Sequence, residues 1–144
     1  MYCGRVVTPS AEQWEMLRER AQRAATRSYA PYSHVRVGAA GLSDDGVVVE
    51  GSNVENASYG VTLCAECSLV SDLRRVGATR VIAVAVVAGD GEPLAPCGRC
   101  RQLLYEHGGP ELLIDHGASA PPRRLGDLLP DAFGPGDLGP RATP

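Results

Sequence analysis

Apolar and polar positions follow one another along this chain with a period that changes several times, and each change predicts a new element. Over residues 8–29 apolar side chains recur three and four apart, so that Trp14, Leu17, Ala21, Ala24 and Ala25 share one face of an amphipathic helix. Thr8 is a candidate cap and Pro9 suits a first turn, while Ala30-Pro31-Tyr32-Ser33 ends the helix. Residues 35–42 and 47–51 read as strands, and Asp44-Asp45-Gly46 between them predicts an antiparallel hairpin. Residues 53–62 are small and polar with no clean period, which predicts an irregular loop. Helical spacing returns over residues 64–75 and stops near Gly77.

Residues 81–88 form an unbroken, valine-rich apolar run, the pattern of a strand buried on both faces. Gly89-Asp90-Gly91 turns the chain, and residues 97–106 predict a third helix closed by Gly108-Gly109. A short strand over 112–115 and a short helix over 125–129 complete the series. This order implies an α/β fold in which a mixed sheet is covered by helices on both faces. No internal repeat and no linker interrupts residues 1–133, which read as one domain. Residues 134–144 are rich in Pro and Gly and are expected to form a poorly ordered tail.

Charge narrows the range of partners. The formal net charge is −3 and every Lys/Arg position is Arg. A mildly acidic domain lacks the basic patch that a phosphate backbone demands, so nucleic acid is not expected as a partner. Arg123 and Arg124 read as a solvated surface pair. No apolar run reaches membrane-spanning length, and a cytoplasmic location is expected. The five cysteines are an odd number, and four of them cluster as two close pairs. Reduced thiols engaged with a metal fit that pattern better than a disulfide framework. Cys3 reads as an incidental thiol and Trp14 as core. His34 reads as a surface or subunit-contact residue. His107 reads as a partly charged imidazole at a helix C-terminus, and His116 as the end of a strand.

Two motifs carry the chemistry: Cys64-Ala65-Glu66 and Pro96-Cys97-Gly98-Arg99-Cys100. Each sits at the predicted start of a helix. Cys97 and Cys100 lie three apart in a first turn, so their sulfurs face one side. A third sulfur from Cys64 leaves a tetrahedral zinc with one position for water, the arrangement of catalytic rather than structural zinc. Three thiolates make such a site net negative. Two helix N-termini aimed at it, each worth roughly half a positive charge, offset this. Glu66 is the candidate proton carrier, provided Cys64 stands at the cap or first position of its helix.

These motifs match the zinc nucleobase-deaminase signature. With Pro31-Tyr32-Ser33, Val37-Gly38-Ala39-Ala40, the segment Asn53-Val54-Glu55-Asn56-Ala57-Ser58-Tyr59, Arg101-Gln102 and Leu128-Leu129-Pro130, the chain resembles the small zinc-dependent cytidine deaminases of nucleoside salvage. The resemblance runs from about residue 30 to 133. It implies a three-layer α/β/α fold with a mixed, roughly five-stranded sheet, one Zn²⁺ per subunit, and a homotetramer with shared active sites. It further implies a free pyrimidine nucleoside as substrate, cytidine or 2′-deoxycytidine. Asn53 and Glu55 would hold the ribose hydroxyls, Ala57 would meet the base through its backbone, and Ala65 would be a further substrate contact. Tyr59 and Phe133 match positions that contribute to a neighbour's pocket.

The chain departs from the family at two positions. Val35 stands where the family usually has a Phe that stacks on the pyrimidine, which leaves another aminopyrimidine nucleoside as an alternative substrate. Cys67 stands where tetrameric members often carry an Arg that donates to the zinc thiolates, so the helix N-termini are expected to carry more of the compensation. Cys67 also keeps a rival open: Cys64-x-x-Cys67 with Cys97-x-x-Cys100 is a complete set for a closed, non-catalytic zinc. A deaminase acting on a base in RNA or DNA is a further rival, opposed by the acidic charge.

Overall fold

The computed structural model describes residues 8–139. Helix α1 (Ala11–Ala25) is followed by β1 (Val37–Ser43), β2 (Val48–Ser52), α2 (Ala65–Arg75), β3 (Val81–Ala88), α3 (Gly98–Gly108), β4 (Leu113–Ile114), β5 (Arg123–Arg124), α4 (Leu125–Leu128) and α5 (Pro135–Leu138). The strands form one mixed sheet in the order β2-β1-β3-β4-β5. β3 and β4 are parallel and every other neighbouring pair is antiparallel.

Alternation along the strands sorts the core into two halves. Ala40, Leu42, Ala83, Ala85, Val87 and Leu113 face α1, where Trp14, Leu17 and Ala21 pack against them. Ala39, Val49, Val84, Val86 and Ile114 face the other way, onto Leu69, Val70 and Leu73 of α2 and Leu104 of α3. Period-two alternation with apolar residues on both faces requires helices on both sides. The result is the expected three-layer α/β/α arrangement, and all five residues assigned to the apolar face of α1 are buried.

Two glycines set how closely the helices rest on the sheet. A Cβ on Gly38 would lie 1.8 Å from the Ala21 carbonyl oxygen, and one on Gly51 would lie 2.2 Å from that of Ala65. Only bare backbone lets α1 and α2 come this near. α1 is further tied to the end of β4 by a two-pronged ion pair: Arg18 Nε and Nη2 donate to the buried Asp115 carboxylate at 2.9 and 2.8 Å. Such paired donors are stronger and more directional than a single contact.

Several sequence expectations are corrected. α1 is capped by Ser10, not Thr8: Ser10 Oγ accepts from the Gln13 N–H while the Gln13 side chain accepts from the Ser10 N–H. This reciprocal pair satisfies two free donors at once. Val35 precedes β1 rather than opening it, because Asn53 takes the hydrogen bonds of the Val35 carbonyl and the Val37 N–H. Arg123 and Arg124, although exposed, form the fifth strand, and Arg124 pairs with Glu111 and Asp127.

His107 is not a charged helix-end residue. Burial, then the neighbouring Arg74 guanidinium, lower its pKa, and Arg74 Nη2 lies 2.9 Å from Nδ1. In the Pro- and Gly-rich tail, Pro135–Leu138 forms one helical turn; residues 140–144, like Cys3, lie outside the described residues.

Candidate active site

The start of α2 decides the site. Cys64 is its N-cap, in extended conformation, so Ala65 and Glu66 occupy the first turn. The same design recurs in α3, where Cys97 is the N-cap and Cys100 lies in the first turn. Both caps therefore deliver a sulfur next to free backbone N–H groups. The sulfurs of Cys64, Cys97 and Cys100 all lie within 4.8 Å of one another. That spacing and donor set fit a tetrahedral zinc with three thiolate ligands.

Glu66 is 4% exposed. Burial pushes its carboxyl above the ordinary carboxylate range, against the opposing pull of its own backbone N–H, the Cys100 thiol and the Arg99 charge. Burial likewise pushes the Cys64 and Cys100 thiols up. Cys97 goes the other way: burial opposes its thiolate but is outweighed by the Cys100 N–H, the Cys100 and Cys64 thiols and the Arg99 N–H. One sulfur at a helix N-terminus is thus prepared for ionisation before the other two.

A cavity of about 200 Å³ opens over this cluster, lined by Asn53, Thr62, Cys64, Ala65, Glu66 and Cys97 among others. Thr62 also lines a second cavity of about 340 Å³ formed with Tyr32, Ser33, Glu55 and Tyr59. Thr62 is common to both, the inner holding Cys64, Cys97 and Glu66 and the outer holding Glu55 with Tyr32 and Tyr59, whose rings make an edge contact with centroids 5.9 Å apart. A larger cavity of about 440 Å³, between the ends of α1, β2 and α2, contains no cysteine; chemistry, not size, selects the site.

The polar residues are locked in place. Asn53 Oδ1 accepts from Ser28 Oγ and the Val37 N–H, and its Nδ2 donates to the Val35 carbonyl. Glu55 accepts from the N–H groups of Tyr32 and Ser33 and from the Ser33 hydroxyl. The Ser33 hydroxyl chiefly, then the two N–H groups and His34, lower the Glu55 pKa against a counteracting burial effect. The turn over residues 31–33, between α1 and β1, is therefore the mount for Glu55. Sequence reasoning missed Ser28, Ser33 and Thr62 in these supporting roles.

Other expected residues sit at the margin. Ala57 is exposed, and Tyr59 and Phe133 are 71% and 60% exposed. The Phe133 carbonyl is held by Gln102 Nε2 at 2.8 Å. Val35 is 54% exposed and lines a separate cavity of about 430 Å³ with His34, Ala88 and Gly89; the structure does not bring it to the sulfur-lined cavity. Cys67 is not in the sulfur cluster. Its Sγ instead accepts from Arg99 Nη2 at 3.3 Å. The closed four-sulfur zinc is therefore not favoured. Arg99 was also missed, although it lies inside the second cysteine motif.

Comparison with known proteins agrees with this geometry. The family model for the cytidine and deoxycytidylate deaminase zinc-binding region matches residues 11–114. The chain belongs to this family. A cytidine deaminase of Mycobacterium tuberculosis is 62% identical over 125 residues, spanning 87% of this chain and 92% of that protein. A crystal structure of cytidine deaminase from M. tuberculosis superposes with a TM-score of 0.81 at 63% identity, covering 84% of this chain and 97% of that one. Cytidine deaminase from M. leprae gives 0.78 at 52% identity, covering 82% and 98%. Zinc is the family's metal, and Cys64, Cys97 and Cys100 are the cluster of this deaminase that fits it.

Proposed function

We propose that this protein hydrolyses free cytidine and 2′-deoxycytidine to uridine and 2′-deoxyuridine, releasing ammonia, as a cytoplasmic homotetramer serving pyrimidine salvage. The observation that carries the reading is a buried carboxyl, Glu66, beside three sulfurs at two helix N-termini. Cys64, Cys97 and Cys100 would hold zinc, which would supply the Lewis acidity that makes water a nucleophile toward C4 of the base. Glu66 would take the first proton of the attacking water and pass it to ring N3, then take the second from the C4 hydroxyl of the adduct and deliver it to the amine as the C4–N bond breaks. A carboxyl whose pKa is raised by burial exchanges protons in both directions more readily than a solvated one.

Asn53 and Glu55 hold the ribose hydroxyls, Ala57 offers its backbone to the base, and Ala65 contacts the substrate at the floor of the inner cavity. A rigid carboxylate and amide discriminate against substrates that lack their partners, since unpaired polar groups are costly. The four described cysteines are free thiols, which suits a reducing compartment. Among the described residues no helix is long and apolar enough to cross a membrane.

Glu66→Gln tests the assignment. The variant is expected to fold and bind zinc as the parent does, while turnover of cytidine, followed by loss of absorbance, falls about 10²–10⁴-fold. An active Glu66→Gln protein would overturn it. The exposed Val35, standing where the family usually has a stacking Phe, keeps a second reading, another aminopyrimidine nucleoside. Assaying cytidine beside base-modified cytosine nucleosides separates the two.

A further inference from the structure

Three thiolates around a divalent zinc leave one net negative charge, and neither a histidine nor a lysine lies in the sulfur cluster to balance it. Helix N-termini supply partial charges only. A whole positive charge stands on Arg99, in the first turn of α3 between Cys97 and Cys100, and acts on Cys64 and Cys100. We propose that Arg99 is a positioning residue for the metal site: its guanidinium, anchored on Cys67, retains zinc by balancing the thiolates and by locking the two cysteine motifs together. This rests on the reading of the site given above.

The geometry joins three segments through one nitrogen. Arg99 Nη2 donates to Cys67 Sγ at 3.3 Å and to the Thr62 carbonyl at 3.2 Å. Cys67 lies three residues past the Cys64 cap, in the first turn of α2, and its N–H donates to the Cys64 carbonyl at 3.0 Å. Thr62 shapes both cavities, and its Oγ1 accepts from the Asn56 N–H. The guanidinium thus spans α3, α2 and the loop that carries Asn53 and Glu55. Its charge also acts on Cys64 and Cys100, after its stronger interactions with Cys67, and on Glu66. Sequence reasoning left the helix ends to compensate for the missing arginine at position 67; the structure places an arginine from the facing helix against the residue at that position.

The geometry implies an exchange. Because the Arg99 guanidinium rests on the residue 67 side chain, an arginine at 67 can replace the charge lost at 99. Zinc release from the loaded protein into a chelating dye is the measurement, with no substrate present. Arg99→Gln is expected to release zinc about tenfold faster, the low end for an outer partner of a metal site because the side chain is exposed. Arg99→Lys should retain most of the parent's hold, and Arg99→Gln combined with Cys67→Arg should regain it.

Position 99 is solvent-exposed, so loss of fold is not expected; circular dichroism of each variant checks this. Parent-like zinc release from Arg99→Gln overturns the proposal, as does failure of the Cys67→Arg partner to slow release again. Should Arg99→Gln not fold, release from Arg99→Lys relative to Arg99→Met decides the matter by the same criterion. A parent protein that binds no zinc overturns instead the reading on which the proposal rests.

Discussion

At the scale of single residues, position along a helix matters more than residue type. Residues two apart on a regular helix point to nearly opposite sides, yet Cys64 and Glu66 serve one site because Cys64 is the cap rather than part of the helix. Moving the start of α2 by one residue would turn Glu66 away from the sulfurs. Val35 poses the opposite case, a position whose side chain falls short. Its carbonyl is fixed by Asn53 Nδ2 at 2.9 Å, so the backbone is placed while the small side chain leaves open space beside it. Val35→Phe is expected to lower the KM for cytidine with little change in kcat, because stacking on a bound base is worth about 1–3 kcal/mol, or roughly 5- to 150-fold. Steady-state kinetics check this; an unchanged KM would mean that the ring cannot reach the base.

Elements tell how much was legible in advance. The three-layer order, all eight residues of β3 and the buried face of α1 follow from periodicity, because each element buries a full stripe of side chains. The cysteine motifs at helix starts were equally plain. What escaped were features with no periodic signature: a two-residue strand, β5, whose pairing with β4 is set by tertiary contact, and the Ser10 cap two residues beyond the expected one. Arg99 and Ser33 escaped because their partners are remote in the chain, and His107 because its burial depends on how α3 meets α2.

That contact between α2 and α3 is pH-sensitive in a definite direction. An arginine can only donate, so His107 Nδ1 accepts and must be unprotonated for the Arg74 bond to exist. Burial and Arg74 lower the His107 pKa, with Glu106 opposing. Between that lowered value and about 6.5, where a free imidazole titrates, the unfolded chain binds more protons than the folded one. The stabilisation is therefore present above about pH 6.5 and is lost as pH falls through the folded value. The melting temperature of the parent should drop across this window, and His107→Gln, which keeps an acceptor but does not titrate, should flatten that drop. Parallel curves for the two proteins would refute the assignment.

For the whole molecule, several large apolar side chains near the site face water. Tyr32, Tyr59 and Leu63 are exposed where they line the two cavities, Tyr29 and Val61 are exposed on the same segments, and Phe133 is exposed as well. Water-facing aromatic and aliphatic side chains gathered near a substrate cavity fit a closed assembly in which a neighbouring copy covers them. If Phe133 serves a neighbour's pocket, Phe133→Ala harms the site next door while leaving its own Glu66 intact. Glu66→Gln does the reverse. Each variant alone should therefore be nearly inactive, whereas co-expression should yield mixed assemblies with activity at the sites where an intact Glu66 meets an intact neighbouring Phe133, about a quarter of them for random mixing at equal amounts. Mixing the separately assembled variants without dissociation should give no such recovery. Activity that stays absent after co-expression, with mixed assemblies confirmed by mass, would place Phe133 in its own subunit's site and remove the argument for a shared pocket.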